Sequence, residues 1–374
     1  MNTTITKTHI VKDLFAFILI VFMCYMLQEF LIPILFAILL SVLVYPIVKF
    51  FETRLCFNRI VSILIAILIF TTIIFFIFVA IGIQFQDIMD KSDMYYDKIL
   101  AKTNILIQQT ENSTGIETKD IVGGNSIEVK EIVKKNSNKI IEFVSSSGSV
   151  ISDFLLTPLY MFFLLLYRSF LISFLYKATA KVSTKKSMRH ILNELYNVQQ
   201  NYLVGLASVM GIVGLLNSIG LVALGVDYPF FFGFLCAILL LVPYIGIIIG
   251  SLLPALVALA TKDSYWYAIG VIGVFGFIQF IEGNFITPKI TGSKVSLNSF
   301  VSILSILLFS MLWGIPGMIL ALPITASLKV IFDHSEKFKS IGFLLGEADE
   351  KYFSSRAKNR LKIWRKIRKN KKNN

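Results

Sequence analysis

The sequence predicts an all-α, polytopic integral membrane protein with about eight hydrophobic helical segments. Two late segments are expected to be broken or re-entrant, and a small water-exposed helical insert interrupts the apolar pattern. Three observations carry this expectation. Several blocks exceed the ~18 consecutive apolar residues that mark a bilayer-spanning helix. Only 16% of the 374 residues are charged and 56% are hydrophobic, with a mean hydropathy of +0.74; a soluble domain carries about 25% charged residues. Finally, the two longest late blocks contain proline and glycine near their middles. The charge deficit is concentrated in the blocks, and 33 phenylalanines suit lipid-facing surfaces.

The first block, Leu14 to Phe50, is too long for one ordinary span, and Gln28, Glu29 and Pro33 interrupt it. Proline disfavours a continuous helix, so a pair of helices is expected there. The preceding Lys7 and Lys12 resemble the start of a signal peptide. No small-residue cleavage site follows, so the segment reads as a retained anchor. A basic stretch with Lys49, Arg54 and Arg59 leads into a span from Ile60 to Ile83. Residues 1–83 thus form an N-terminal membrane region.

Residues 84–148 differ in kind. Charges of both signs mix (Asp87, Asp90, Lys91, Asp93, Asp97, Lys98, Lys102), and Gly115, Gly123 and Gly124 mark a loop. Ile127, Val129, Ile132, Val133, Ile140, Ile141 and Val144 are spaced as an amphipathic helix. This insert has too little apolar surface for its own core, so it packs on a neighbour or on a second copy in a homo-oligomer.

Residues 149–332 read as the core permease region. A span from Val150 to Tyr167 precedes the basic stretch Arg168, Lys177, Lys181, Lys185, Lys186 and Arg189. His190 to Tyr202 suits an interfacial helix, and Leu203 to Leu224 another span. The block from Phe230 to Ala260 holds no charge; Val242-Pro243-Tyr244-Ile245-Gly246 and Pro254 break it. Tyr265 to Ile281 is a further span with Gly270, Gly273 and Gly276 in a row. Phe300 to Phe332 repeats the interrupted design around Trp313-Gly314-Ile315-Pro316-Gly317 and Pro323. A pair of interrupted apolar segments points to a transporter's substrate path.

Charge sets orientation. The net charge of +13 rests heavily on the segment 333–374, whose last part carries Lys351, Arg356, Lys358, Arg360, Lys362, Arg365, Lys366, Arg368, Lys369, Lys371 and Lys372. A basic tail after a last span is a cytoplasmic topology signal that touches anionic lipid, and needs no nucleic acid. With the N-terminus in the cytoplasm, the three basic stretches all fall inside and the insert outside. One ambiguity follows the 230–260 block: a hairpin puts Lys289 and Lys294 inside, a full span Lys262 and Asp263.

Enzyme chemistry finds little support. There is no phosphate-binding G-x-x-x-x-G-K-[ST], no zinc-protease helix and no nucleophile elbow. Cys24, Cys56 and Cys236 form no metal or disulfide spacing, and His9, His190 and His334 lie outside the apolar blocks. No cofactor or metal is expected. Polar residues cluster late, at Gln279, Glu282, Asn284, Thr287, Lys289, Thr291, Ser293, Lys294 and Asn298. A carboxylate near the end of a span, Glu282, is either functional or paired, with Lys289 as one partner. Gly246 and Gly250, like the Gly270 series, read first as close-packing faces.

Three stretches together resemble the autoinducer-2 exporter family of permeases. They are Val242 to Gly246 with Pro254; Glu282-Gly283-Asn284-Phe285-Ile286-Thr287-Pro288-Lys289-Ile290-Thr291-Gly292; and Trp313-Gly314-Ile315-Pro316-Gly317-Met318 with Ala321-Leu322-Pro323. The resemblance is specific from about residue 200 to 332; only the layout matches before it. Where the family often has proline after the P-K-x-x-G motif, this chain has Ser299. The resemblance implies a multi-pass protein of the bacterial inner membrane, both termini cytoplasmic, exporting a small polar solute such as the quorum-sensing signal autoinducer-2. Some family members resemble sodium/proton antiporters instead, and a scaffold without flux is a third reading. The expected path or gate residues are Pro243, Tyr244, Gly246, Glu282, Asn284, Pro288, Lys289, Gly292, Trp313, Gly314, Pro316, Gly317 and Pro323.

Overall fold

The structure, a computed structural model, describes residues 3–102, 148–179, 185–241, 245–290 and 297–347. Pro243, Tyr244, Gly292, the amphipathic stretch 127–144 and the basic tail from Lys351 lie outside the described residues.

Apart from one isolated bridge between Leu297 and Gly346, the regular structure among these residues is helical. The helices are α1 (Thr3–Met26), α2 (Gln28–Thr53), α3 (Arg59–Asp90), α4 (Gly148–Leu166), α5 (Arg168–Thr179), α6 (Lys185–Ala223), α7 (Pro229–Leu239), α8 (Ile245–Thr261), α9 (Trp266–Ile281), α10 (Thr287–Ile290), α11 (Ser299–Asp333) and α12 (Lys339–Leu345). Five described helices are long and apolar enough to cross a membrane, six if the bent pair α4–α5 counts as one; Leu14–Met26, Pro229–Leu239 and Ile248–Thr261 are shorter apolar helices.

Polarity is inverted relative to a soluble protein. Leu64, Leu68, Phe76, Phe78 and Ile83 of α3 are exposed, whereas Ser41, Ser62, Gln199, Asn217, Ser218, Ser305 and Thr325 are buried. Outward apolar faces and inward polar side chains are what a hydrocarbon solvent demands, because it leaves polar groups no partner but the protein. The chain is an integral membrane protein.

The early break falls at Leu27, a turn before Pro33. Leu27 leaves helical geometry (φ −97°, ψ 16°), yet the bonds Leu27 N–H to Met23 O and Leu31 N–H to Leu27 O carry the ladder past it. Pro33 sits in the second turn of α2, buried. The stretch 190–202, expected as a separate interfacial helix, is continuous with the following span in the 39-residue α6. At ~1.5 Å per residue this helix outruns a ~30 Å hydrocarbon layer, so one end stands in water. The sharp bend comes earlier, at 67° between α4 and α5.

Both interrupted blocks are helical hairpins. In the first, α7 and α8 run antiparallel. A Cβ at Gly246 would meet the Leu239 backbone at 2.7 Å, and one at Gly250 would meet Cys236 Sγ at 2.6 Å. The partner number falls as the chain advances, which only a reversal produces. In the second, the reversal is Gly314 (φ 63°, ψ −139°), a left-handed conformation that glycine alone adopts without strain. Pro316 falls in the first turn of the return arm, where a missing N–H costs nothing. A Cβ at Gly317 would overlap the Phe309 carbonyl oxygen, so the arms touch backbone to backbone just beyond the turn. The two ends of α11 also meet. Asn298 caps it by accepting from Val301 N (2.8 Å) and donates through Nδ2 to Leu344 O (2.6 Å) and Gly346 O (3.1 Å); Gly346 in turn lies against Lys329. With Asn298 as cap, Ser299 opens the helix without the family's proline.

Polar contacts sort the chain's connections into two ends. At the basic end, Arg59 Nη2 donates to Leu165 O (2.9 Å) and Arg168 pairs with Glu52 (2.8 Å). Gln199 of α6 reaches Pro323 O and Ser327 Oγ of α11 (both 2.7 Å). At the opposite end, the Tyr228 hydroxyl donates to Asp87 and accepts from Lys91 Nζ (2.7 Å), while Lys102 donates to the carbonyls of Leu259 and Lys262. Tyr228 and Lys102 thus hold both open ends of the first hairpin on one side, which resolves the 230–260 ambiguity in favour of a hairpin. The second hairpin opens at the basic end. Hydrogen bonding from Tyr228 and then Asp87 raises the Lys91 pKa above its ordinary value. The ammonium's contribution is therefore complete at neutral pH and is lost only as pH rises through that raised value.

Two core clusters fill the bundle. Ala37, Val44 and Val48 of α2 pack with Ile63, Ala66 and Ile67 of α3 and Met161 of α4. Leu221, Phe231, Phe232, Ala255, Ala258, Val271 and Phe275 bind the first hairpin to α6 and α9. Here Gly220 admits Val274 and Gly270 packs close to Leu224, whereas Gly273 and Gly276 face open space, so only the start of the α9 glycine row serves packing.

Replacing Gly317 with Val should lower stability by about 2–3 kcal/mol or more, because the clash is with backbone. Gly273→Ala, with nothing within 4 Å, should leave it unchanged. Thermal unfolding of the two variants in detergent checks the contrast.

Candidate functional site

The residues singled out by sequence fall in three places. Gly246 lies buried at the turn of the first hairpin, where its lack of a side chain lets α8 start against Leu239. Trp313, Gly314, Pro316 and Gly317 form the turn of the second. There Trp313 is buried and its indole N–H donates to Cys24 O of α1 (3.1 Å), anchoring the hairpin tip. Pro323, buried in the return arm, offers its carbonyl to Gln199.

Glu282, Asn284, Pro288 and Lys289 sit where α9 loosens. Glu282–Ile286 is a π-helical turn, a local widening common at functional sites. The Glu282 carboxylate is half-buried; it accepts from Gln279 Nε2 (2.6 Å) and from the Thr287 hydroxyl. Among the described residues Lys289 does not pair with it. Asn284 is exposed and its amide donates to Phe280 O (2.8 Å), while Pro288 and Lys289 are exposed. Ile286 and Ile290 pack against Val209 and Val213 of α6, the cluster on which Leu240 of the first hairpin also packs. The π-turn and the first hairpin thus share a support on α6. No hydrogen bond joins the π-turn to the second hairpin among the described residues.

A second location was not anticipated from sequence. Between α2, the α4–α5 bend, α6 and the return arm of α11 lies a cavity of about 780 Å³. Its polar lining includes Ser41, Tyr45, Arg168, Asn193, Tyr196 and Gln199. Arg168 lies 5.0 Å over the Tyr45 ring, and Tyr45 meets Tyr196 edge-on at 5.8 Å. Ser41 Oγ, Arg168 Nη1 and Gln199 Oε1 are buried without a partner among the described residues. The cavity wall is mainly apolar, with a few polar side chains placed to orient a guest. The cavity lies beside the 67° bend at Tyr167, with residues of α4, α5 and α6 all in its wall. The signal in the sequence was faint: Asn193, Tyr196 and Gln199 recur every three residues on one face of α6, a polar stripe read as interfacial.

A family model described as AI-2E family transporter matches residues 14–337. Over 164 residues the chain is 35% identical to YrrI of Bacillus subtilis, whose name assigns it provisionally to transport; 43% of this chain and 46% of that protein are covered. Over 150 residues it is 28% identical to the AI-2 transport protein TqsA of Escherichia coli, covering 40% and 43%. Each match spans less than half of the relative's length.

Arg168→Met should strand the Glu52 carboxylate, which is only 18% exposed, at a cost of about 1–3 kcal/mol. The double variant Arg168→Met/Glu52→Met should recover most of that loss. A double-mutant cycle read by thermal unfolding tests both.

Proposed function

The chain belongs to the AI-2E family of transporters, and from that premise we propose that it is a permease or exporter of a small polar solute. The observation that carries the reading is the pair of helical hairpins entering the bundle from opposite ends. Reversed chain at membrane depth is tolerated only where protein or a polar path covers it, and interrupted helices of this kind build transporter solute paths. Gly246, Trp313, Gly314, Pro316, Gly317 and Pro323 shape the hairpins, and Pro243 and Tyr244 are assigned to the same path. Glu282, Asn284, Pro288, Lys289 and Gly292 gate the path, with Ile286 and Ile290 seating the π-turn on α6. We assign the cavity as the solute's station at the basic end, the cytoplasmic side by the positive-inside rule.

The cavity also bears on the solute's chemistry. The Arg168 guanidinium is neutralised by Glu52, so the cavity's hydroxyl, carboxamide and two tyrosines suit a hydroxyl-rich neutral molecule. Autoinducer-2, named for one relative, is a solute of that kind. The competing reading, a sodium/proton antiporter, rests on Glu282, a half-buried carboxylate in a π-turn. No catalytic step is assigned.

Flux in proteoliposomes separates the readings. With labelled autoinducer-2 and an internal pH dye, solute movement without a pH change is expected. It should fall at least tenfold in Gln199→Leu, which removes a polar contact of ~2 kcal/mol or more. A sodium-driven pH change abolished by Glu282→Gln would establish the antiporter instead.

A further inference from the structure

His190 and His334 are distant in sequence and come together at the basic end, on the first turns of α6 and the residue closing α11. Their rings stand edge to face with centroids 5.4 Å apart. Glu194, one turn beyond His190, lies between them: its Oε2 is 3.5 Å from His334 Nε2 and 3.9 Å from His190 Nε2. One donor atom from each residue falls within 4.8 Å of the other two.

The bonding of His334 decides what this cluster suits. Its Nδ1 lies 2.9 Å from Val330 O, a carbonyl that can only accept, so Nδ1 carries a proton. In the neutral ring Nε2 is then a lone pair facing a carboxylate oxygen, two acceptors opposed. A cation between them removes the conflict. A metal-binding histidine almost always donates its second nitrogen to a carbonyl or carboxylate in this way, which fixes the ring.

We propose that His190, Glu194 and His334 form a binding site for a divalent transition cation of the zinc class. Two imidazoles and one carboxylate are a three-ligand set for such an ion, with water completing the shell. Bonds of ~2.0–2.1 Å in a tetrahedron separate ligand atoms by about 3.3 Å, so the present spacing needs only a small contraction. His190, 73% exposed, is free to supply it by rotation. Because the ligands come from α6 and from the end of α11, the ion would staple the return arm of the second hairpin to α6. That is the same pair joined by Gln199 to Pro323 and Ser327 beside the solute cavity. The site would therefore restrain the hairpin whichever solute is carried.

The test is titration of the purified full chain, carrying no histidine tag, with Co²⁺ while recording visible absorption. The expected result is a saturable spectrum at one equivalent, displaced by Zn²⁺. Affinity should weaken at least tenfold in His190→Ala and in His334→Ala, with elution on size exclusion unchanged as the control for folding. His190 is exposed enough that its substitution does not threaten the fold. Absence of a saturable spectrum would overturn the proposal and leave Glu194 and an imidazolium as an ordinary ion pair. Binding that survives either substitution would overturn it equally.

Discussion

Everything in this fold answers to one constraint: backbone N–H and C=O groups inside a hydrocarbon layer must find partners within the protein. Long helices satisfy it segment by segment. Where the chain reverses at depth, it does so with arms so close that only glycine fits, at Gly246 and Gly250 in the first hairpin and at Gly317 in the second. Gly314 supplies the left-handed conformation that starts the second reversal, and Trp313 seals its tip against Cys24. The hairpins thus keep reversed backbone satisfied inside the protein, by arms packed too closely for any side chain at the glycines.

The ends of the bundle are held by a different physics. At one end Tyr228, Asp87, Lys91 and Lys102 fasten the mouth of the first hairpin. At the other, Arg59, Arg168, Glu52 and Gln199 fasten α2, α4, α6 and the return arm of α11. Exposed charge pairs contribute little energy in water, but pairs at a membrane boundary are partly shielded and fix which elements share an end. The division leaves a middle layer dominated by apolar packing and a basic layer rich in partly satisfied polar groups.

The two places that carry the functional reading differ in how they are built. The π-turn at Glu282 is local, a property of one helix end, with Gln279 and Thr287 close in sequence supplying its hydrogen bonds. The cavity is made by elements far apart in the chain and by the α4–α5 bend, and its polar atoms are individually ordinary. Gln199 and Glu194 place the return arm of the second hairpin against α6 over two turns of that helix at the basic end.

The membrane class, the positions of the interrupted blocks and the family likeness were legible in the residues themselves. Long apolar runs and mid-block proline and glycine act locally, and a bilayer converts them into helices and breaks with few alternatives. Glu282 stood out for the same reason, as a charge too near an apolar run to be indifferent. Local reading put the early break beside Gln28, where it falls, but misplaced what depends on neighbours: the unbroken α6 and the open space at Gly273 and Gly276. It had no means of finding Ser41, Arg168 and Gln199 around one cavity, or His190 and His334 around Glu194. Hydropathy records how each residue partitions between water and lipid, but not which helix it will face. Only the packing of α2, α4, α6 and α11 decided that, by choosing which of the few polar side chains in an apolar protein would be buried together.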